Sequence, residues 1–145
     1  MSSSGETSLS EILKSLNPEL NPGEFVFITL DLTNENSKNL YNQLKSTDPS
    51  KIILEFREQE GQTIILDKTL ADQFPALSYD LTLAWITLKV HSSLAAVGLT
   101  AKFSQVLTEE NISCNVVAGF YHDHIFVDVS DGRKAVDVLR RLSEK

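Results

Sequence analysis

The chain has 145 residues, 41% of them apolar and 23% charged, which suits one globular domain or two small ones. Its net charge of −7 and pI of about 4.9 speak against nucleic-acid binding and against docking on an anionic membrane surface. No apolar run approaches the roughly 18 residues of a membrane helix. No signal-peptide pattern opens the chain, and the single cysteine, Cys114, cannot form an intrachain disulfide, so a cytoplasmic setting is expected.

Residues 1–7 are Ser/Gly-rich and expected to be disordered. Apolar residues at 9, 12, 13 and 16 predict an amphipathic helix over 8–16, with Ser8 and Glu11 at capping-box spacing. Asn17-Pro18 and Asn21-Pro22-Gly23 read as punctuation. Glu24 to Leu32, rich in Phe, Val, Ile and Thr, reads as a strand. Residues 33–50 are polar and aperiodic, which predicts a long loop or an insertion with one short helix.

Lys51–Phe56 and Gln62–Leu66 predict a hairpin, and Asp67–Phe74 a short helix ended by Pro75. The acidic cluster Glu55, Glu58 and Glu60 fits a solvated sheet edge better than a catalytic or metal site. Thr82 to Val90 is the clearest strand: its even positions should face a core, and Trp85, Thr87 and Lys89 a partly exposed face where Trp85 could meet another half or subunit. Residues 98–110 predict a helix with Leu99, Phe103, Val106 and Leu107 on one face. Strands at 113–118 and 124–129 and a helix bearing Ala135, Val138, Leu139 and Leu142 follow.

Residues 82–142 thus read strand, helix, strand, strand, helix. That is an α+β, ferredoxin-like unit lacking its final strand: an antiparallel sheet with helices on one face. About 60 residues make a marginal core alone, so two halves, 8–76 and 77–145, are expected to complete each other's sheets.

The small residues of His91-Ser92-Ser93-Leu94-Ala95-Ala96-Val97-Gly98 let a backbone approach a ligand closely. The helix start that follows favours a carboxylate or phosphate. His122 and His124, two apart, could share a face with Cys114, His91 or Asp123 around a metal, but no Cys-x-x-Cys or His-Glu-x-x-His spacing supports this. No catalytic pair and no dinucleotide or Walker-type glycine loop occurs, so no cofactor and no enzymatic activity are expected.

Val97-Gly98-Leu99-Thr100-Ala101, followed by Asn111-Ile112-Ser113-Cys114-Asn115-Val116-Val117, resembles the signature of ACT domains. The longer strings 91–100 and 114–127 resemble a bacterial group of small stand-alone proteins with two ACT-like halves. The resemblance implies a regulatory protein that binds an amino acid or similar metabolite, commonly as a homodimer. It implies ligand contacts from Ser92, Ser93, Val97, Gly98, Leu99, Thr100 and Asn115. Many ACT domains carry Asp-x-Pro-Gly at this loop; here Ala95-Ala96-Val97-Gly98 stands in its place, so the acidic group that would hold an α-amino group is absent there. The alternative reading is a homodimeric interaction module without a small ligand.

Overall fold

The computed structural model describes residues 11, 13–89 and 98–144. In chain order the elements are β1 (Asn17–Leu20), β2 (Phe25–Leu30), α1 (Glu35–Thr47), β3 (Ile52–Arg57), β4 (Gln62–Asp67), α2 (Lys68–Ala71) and β5 (Thr82–Lys89). There follow α3 (Leu99–Glu109), β6 (Cys114–Ala118), β7 (Asp123–Asp128) and α4 (Gly132–Ser143). Residues 11 and 13–15 are helical and Leu16, just beyond them, is buried but not helical; residues 8–10 and 12 of the expected helix lie outside the described residues, as does Val90. These elements form two units, Gly23–Leu83 and the segments up to Pro22 and from Ala84 onward. The unit boundaries fall at 22/23 and 83/84, where sequence patterning placed one boundary at 76/77.

In the unit of residues 23–83, β2 pairs with β4 and β4 with β3, all antiparallel. The first two residues of β5 supply the fourth strand, with Phe25 opposite Leu83 and Val26 opposite Thr82. The order of elements is βαββαβ, the ferredoxin-like arrangement. Val26, Ile28 and Leu30 of β2 and Ile64 and Leu66 of β4 bury the helix-facing side together with Leu44 of α1 and Leu70 of α2. Alternation along each strand sends Phe25, Phe27 and Thr29 to the other side.

The segment expected to be a long loop or an insertion with one short helix carries a 13-residue helix, α1. Asn34 caps it, its side chain accepting from Ser37 N–H. The helix escaped the periodicity because Leu44 is its one fully buried residue, with Leu40 and Tyr41 packed partly against the core. Elsewhere its stabilisation is polar: Lys45 pairs with Glu55 of β3 at 2.8 Å, and Tyr41 Oη donates to the same carboxylate.

The other unit contains β5, α3, β6, β7 and α4 in sequence, with β5 beside β7 and β7 paired to β6. The missing fourth strand is β1, which comes from the opposite end of the sequence and pairs antiparallel with β5, Asn17 opposite Lys89 and Leu20 opposite Ile86. Asn17-Pro18 is therefore strand and not punctuation. Asn21 N–H donates to the Trp85 carbonyl at 2.9 Å, and bonded pairs alternate along an antiparallel ladder. Hence Asn17, Glu19 and Asn21 bond β5, while the backbone of Pro18 and Leu20 faces the other edge, which pairs with no strand among the described residues and where proline's lack of an N–H costs nothing.

Ala84, Ile86 and Leu88 of β5, Ile125 and Val127 of β7, Leu99, Phe103 and Leu107 of α3, and Ala135, Leu139 and Leu142 of α4 form this unit's core. Thr87, expected on a partly exposed or interface face, is buried and accepts from Asn21 Nδ2 at 2.9 Å. A Cβ built on Gly132 would come within 2.9 Å of Ala84 Cβ and 3.4 Å of Leu20 Cδ1, so glycine sets how closely α4 approaches the sheet. Gly132→Ala should therefore lower the unfolding free energy by about 1–3 kcal/mol, as overpacking does. Urea denaturation checks this; an unchanged midpoint would show that α4 shifts freely.

Candidate functional site

Gly98 is the N-cap of α3 and has φ 92°, a left-handed conformation that disfavours any side chain. No side chain caps this helix start, and its first amides point along the axis away from the helix body. Leu99 is buried in the core beside Phe103, so only its backbone faces outward; Thr100 is exposed. Ser92, Ser93 and Val97 lie outside the described residues, as does His91.

Asn115 is exposed on β6 and stands opposite Phe126 of β7. Opposed residues share a face, and Phe126 alternates with the core residues Ile125 and Val127. Asn115 therefore lies on the sheet face away from the helices, opposite to the face that holds the Leu99 side chain.

That outer face carries an organised cluster. The Trp85 ring stacks on Phe126 with centroids 6.1 Å apart, and its Nε1–H donates to His124 Nδ1 at 3.0 Å. Thr87 Oγ1 sits 3.1 Å from the same nitrogen. An indole N–H can only donate, so Nδ1 is unprotonated and neutral His124 carries its proton on Nε2. Burial, and then the neighbouring His122, hold the His124 pKa below its ordinary 6.5, with Asp123 opposing them. Gly119 leaves room for the ring: a Cβ there would lie 3.2 Å from His124 Nε2.

His124 thus serves as an acceptor inside its unit. Among the described residues no group of three or more His, Cys, Asp or Glu side chains is arranged to hold a metal ion. Cys114 is half-buried against the core, and burial raises its thiol pKa, which keeps it protonated. Trp85, read as a contact residue for another half or subunit, is engaged with His124 and Phe126. The sequence signal for this cluster was the shared outward parity of Trp85 and Thr87; their meeting with His124 depends on strand order.

Two family models described as ACT domain match the sequence, one over residues 4–82 and the other over residues 81–141. The chain belongs to the ACT-domain family. Among solved structures, a protein of unknown function from Vibrio cholerae, titled a possible transport protein, is 40% identical over 96% of this chain and 98% of that one, with a TM-score of 0.78. The regulatory subunit of aspartate kinase from Thermus flavus is 7% identical over 87% of this chain and 96% of that one, with a TM-score of 0.62, a likeness of fold. A crystal structure of aspartokinase alpha and beta subunits aligns at 11% identity over 89% and 98% of the two chains, with a TM-score of 0.66. No curated protein matches the sequence. No helix among the described residues is long and apolar enough to cross a membrane.

The depressed His124 pKa has a sign that can be tested. The folded state favours neutral histidine, so the unfolded chain takes up a proton first as pH falls below 6.5. Stability from this site should be full above that pH and decline below it as the proton is excluded. Urea midpoints followed by the fluorescence of Trp85, the sole tryptophan, should fall between about pH 7 and 5. In His124→Gln this component of the slope should disappear.

Proposed function

We propose that this ACT-domain protein is a non-enzymatic regulatory protein that binds a small metabolite, an amino acid or a close relative, where β5 gives way to α3. The observation that carries the reading is the left-handed, uncapped Gly98 at the start of an 11-residue helix. A ligand carboxylate placed there would accept N–H bonds from Leu99 and Thr100. The helix-terminus field adds about 0.3–1 kcal/mol at exposed positions. Ser92, Ser93 and Val97, which precede Gly98 in the sequence, are included in the proposed ligand contacts as hydroxyl-bearing and apolar residues. Asn115, on the outer face of β6, is left out of this site. With no aspartate at this loop, an α-amino group would need another acceptor.

The test is a thermal-shift screen against the twenty amino acids and common metabolites, followed by calorimetric titration of the best hit. A ligand at 100 times its Kd stabilises the native state by about 2.7 kcal/mol. Gly98→Val should abolish binding through side-chain volume and backbone strain while circular dichroism shows a folded chain. Equal affinities in the two folded proteins would move the site elsewhere.

A second observation favours homodimer assembly, which also underlies the reading as a pure interaction module. β6, with the uncharged sequence Cys-Asn-Val-Val-Ala, pairs only with β7 among the described residues. Val116 is 39% exposed on it, and the turn beyond it presents Phe120 at 94% and Tyr121 at 82% exposure. Uncharged free edges template pairing with another chain. Sedimentation equilibrium should give a dimer at micromolar concentration and a monomer for Val116→Lys; a monomeric wild type would defeat this assembly.

A further inference from the structure

We propose that the groove between β1 and α4 is a second binding site, one that takes a small organic polyanion carrying carboxylate or phosphate oxygens. The groove has a volume of about 420 Å3 and is lined by Asn17–Leu20, Arg133, Val136 and Arg140. That volume is within the range of small-molecule sites.

The chemistry of the lining points to an anion. Arg133 and Arg140 are two turns apart on α4, about 10.5 Å along the axis, and Val136 lies between them on the same side. Among the described residues neither arginine forms an ion pair, although Asp137 lies within a turn of both. Glu19 stands opposite Thr87, so its side chain lies on the outer face of the sheet, away from α4, where its carboxylate is bound to Lys89 at 2.8 Å. Two unmatched guanidiniums therefore face one groove in a chain of net charge −7. A guanidinium presents a planar fork suited to carboxylate and phosphate oxygens.

The groove is also a built feature. Its apolar floor is Val136 and the partly exposed Leu20, held close by the contact at Gly132. Its other wall is the edge of β1 that pairs with no strand among the described residues, where the ladder alternation turns the Leu20 N–H outward as a further donor. A solvated helix face would account for scattered arginines. It would not account for two of them bordering a cavity with an apolar floor and a free backbone donor.

The probes are citrate and pyrophosphate, titrated separately into the full-length protein and followed by amide chemical shifts. Saturable shifts on residues 17, 19 and 20 and on 133–140 at or below about 10 mM are expected from at least one. Citrate alone would identify a carboxylate ligand and pyrophosphate alone a phosphate ligand. Arg133→Gln with Arg140→Gln should weaken binding about tenfold or more, as loss of charged hydrogen bonds does. Arg141→Gln, outside the groove, should leave it unchanged. If the double glutamine variant fails to fold, Arg133→Lys with Arg140→Lys keeps the charge but loses the fork, and should still weaken binding. No saturation by either probe, shifts confined to residues 98–100, or full affinity in the folded double variants would each overturn the proposal. Because the readout is resolved by residue, failure here is distinct from failure of the site at Gly98.

Discussion

Strand β5 is the constraint on which the rest depends. Its first two residues complete the sheet of residues 23–83 against β2, and residues 86–89 pair with β1 in the other unit. Along the strand Ala84, Ile86 and Leu88 contribute a row to that unit's core. A one-residue slip would send this row to the face now held by Trp85 and Thr87 and would break both sets of pairings. The hydrogen bonds of Trp85 and Thr87 to Asn21 and His124 fix that register from the outer side.

The two units are held by different balances of forces. The unit containing α4 has a continuous apolar core in which both helices bury regular rows of side chains. In the other, α1 buries little, and a polar network ties it to the sheet: Lys45, Tyr41 and Gln62 all reach Glu55. Burial disfavours the charge on Glu55, yet the hydrogen bonds from Lys45, Tyr41 and Gln62 outweigh it and keep the carboxylate pKa low. Glu58 likewise accepts from Thr63. The acidic run at this hairpin thus acts as fastening and solvated edge, and its chemistry is spent inside its own unit.

The sequence was most legible where burial is one-sided and local. β5, α3, the β6–β7 pair and α4 all follow from hydrophobic spacing, because each packs one face on a shared core. α1 was hidden because polar contacts replace most of its apolar stripe. β1 was hidden because Pro18 suggests a turn, and only a partner far along the sequence shows that its N-side pairs with no strand among the described residues. At the candidate site, Gly98 was legible from the meeting of strand and helix patterns. The alternation that places Asn115 on the outer face was also readable in principle, but it needed the register with Phe126 to fix the parity. The two arginines of the α4 groove had no signal by themselves, since their significance comes from β1 lying beside them.

The pairing of β1 with β5 also sets a schedule for synthesis. β1 leaves the ribosome early, and its partner, some 66 residues on, emerges several seconds later at typical elongation rates of about 5–20 residues per second. In that interval residues 23–83 can assemble nearly all of their own sheet, while β1 waits as an unpaired strand. The unit that holds the beginning of the chain is then the last to close, and its closure spans the longest loop in the fold. A short β1 with proline in it suits that wait, since a proline strand offers fewer backbone donors to the wrong partner.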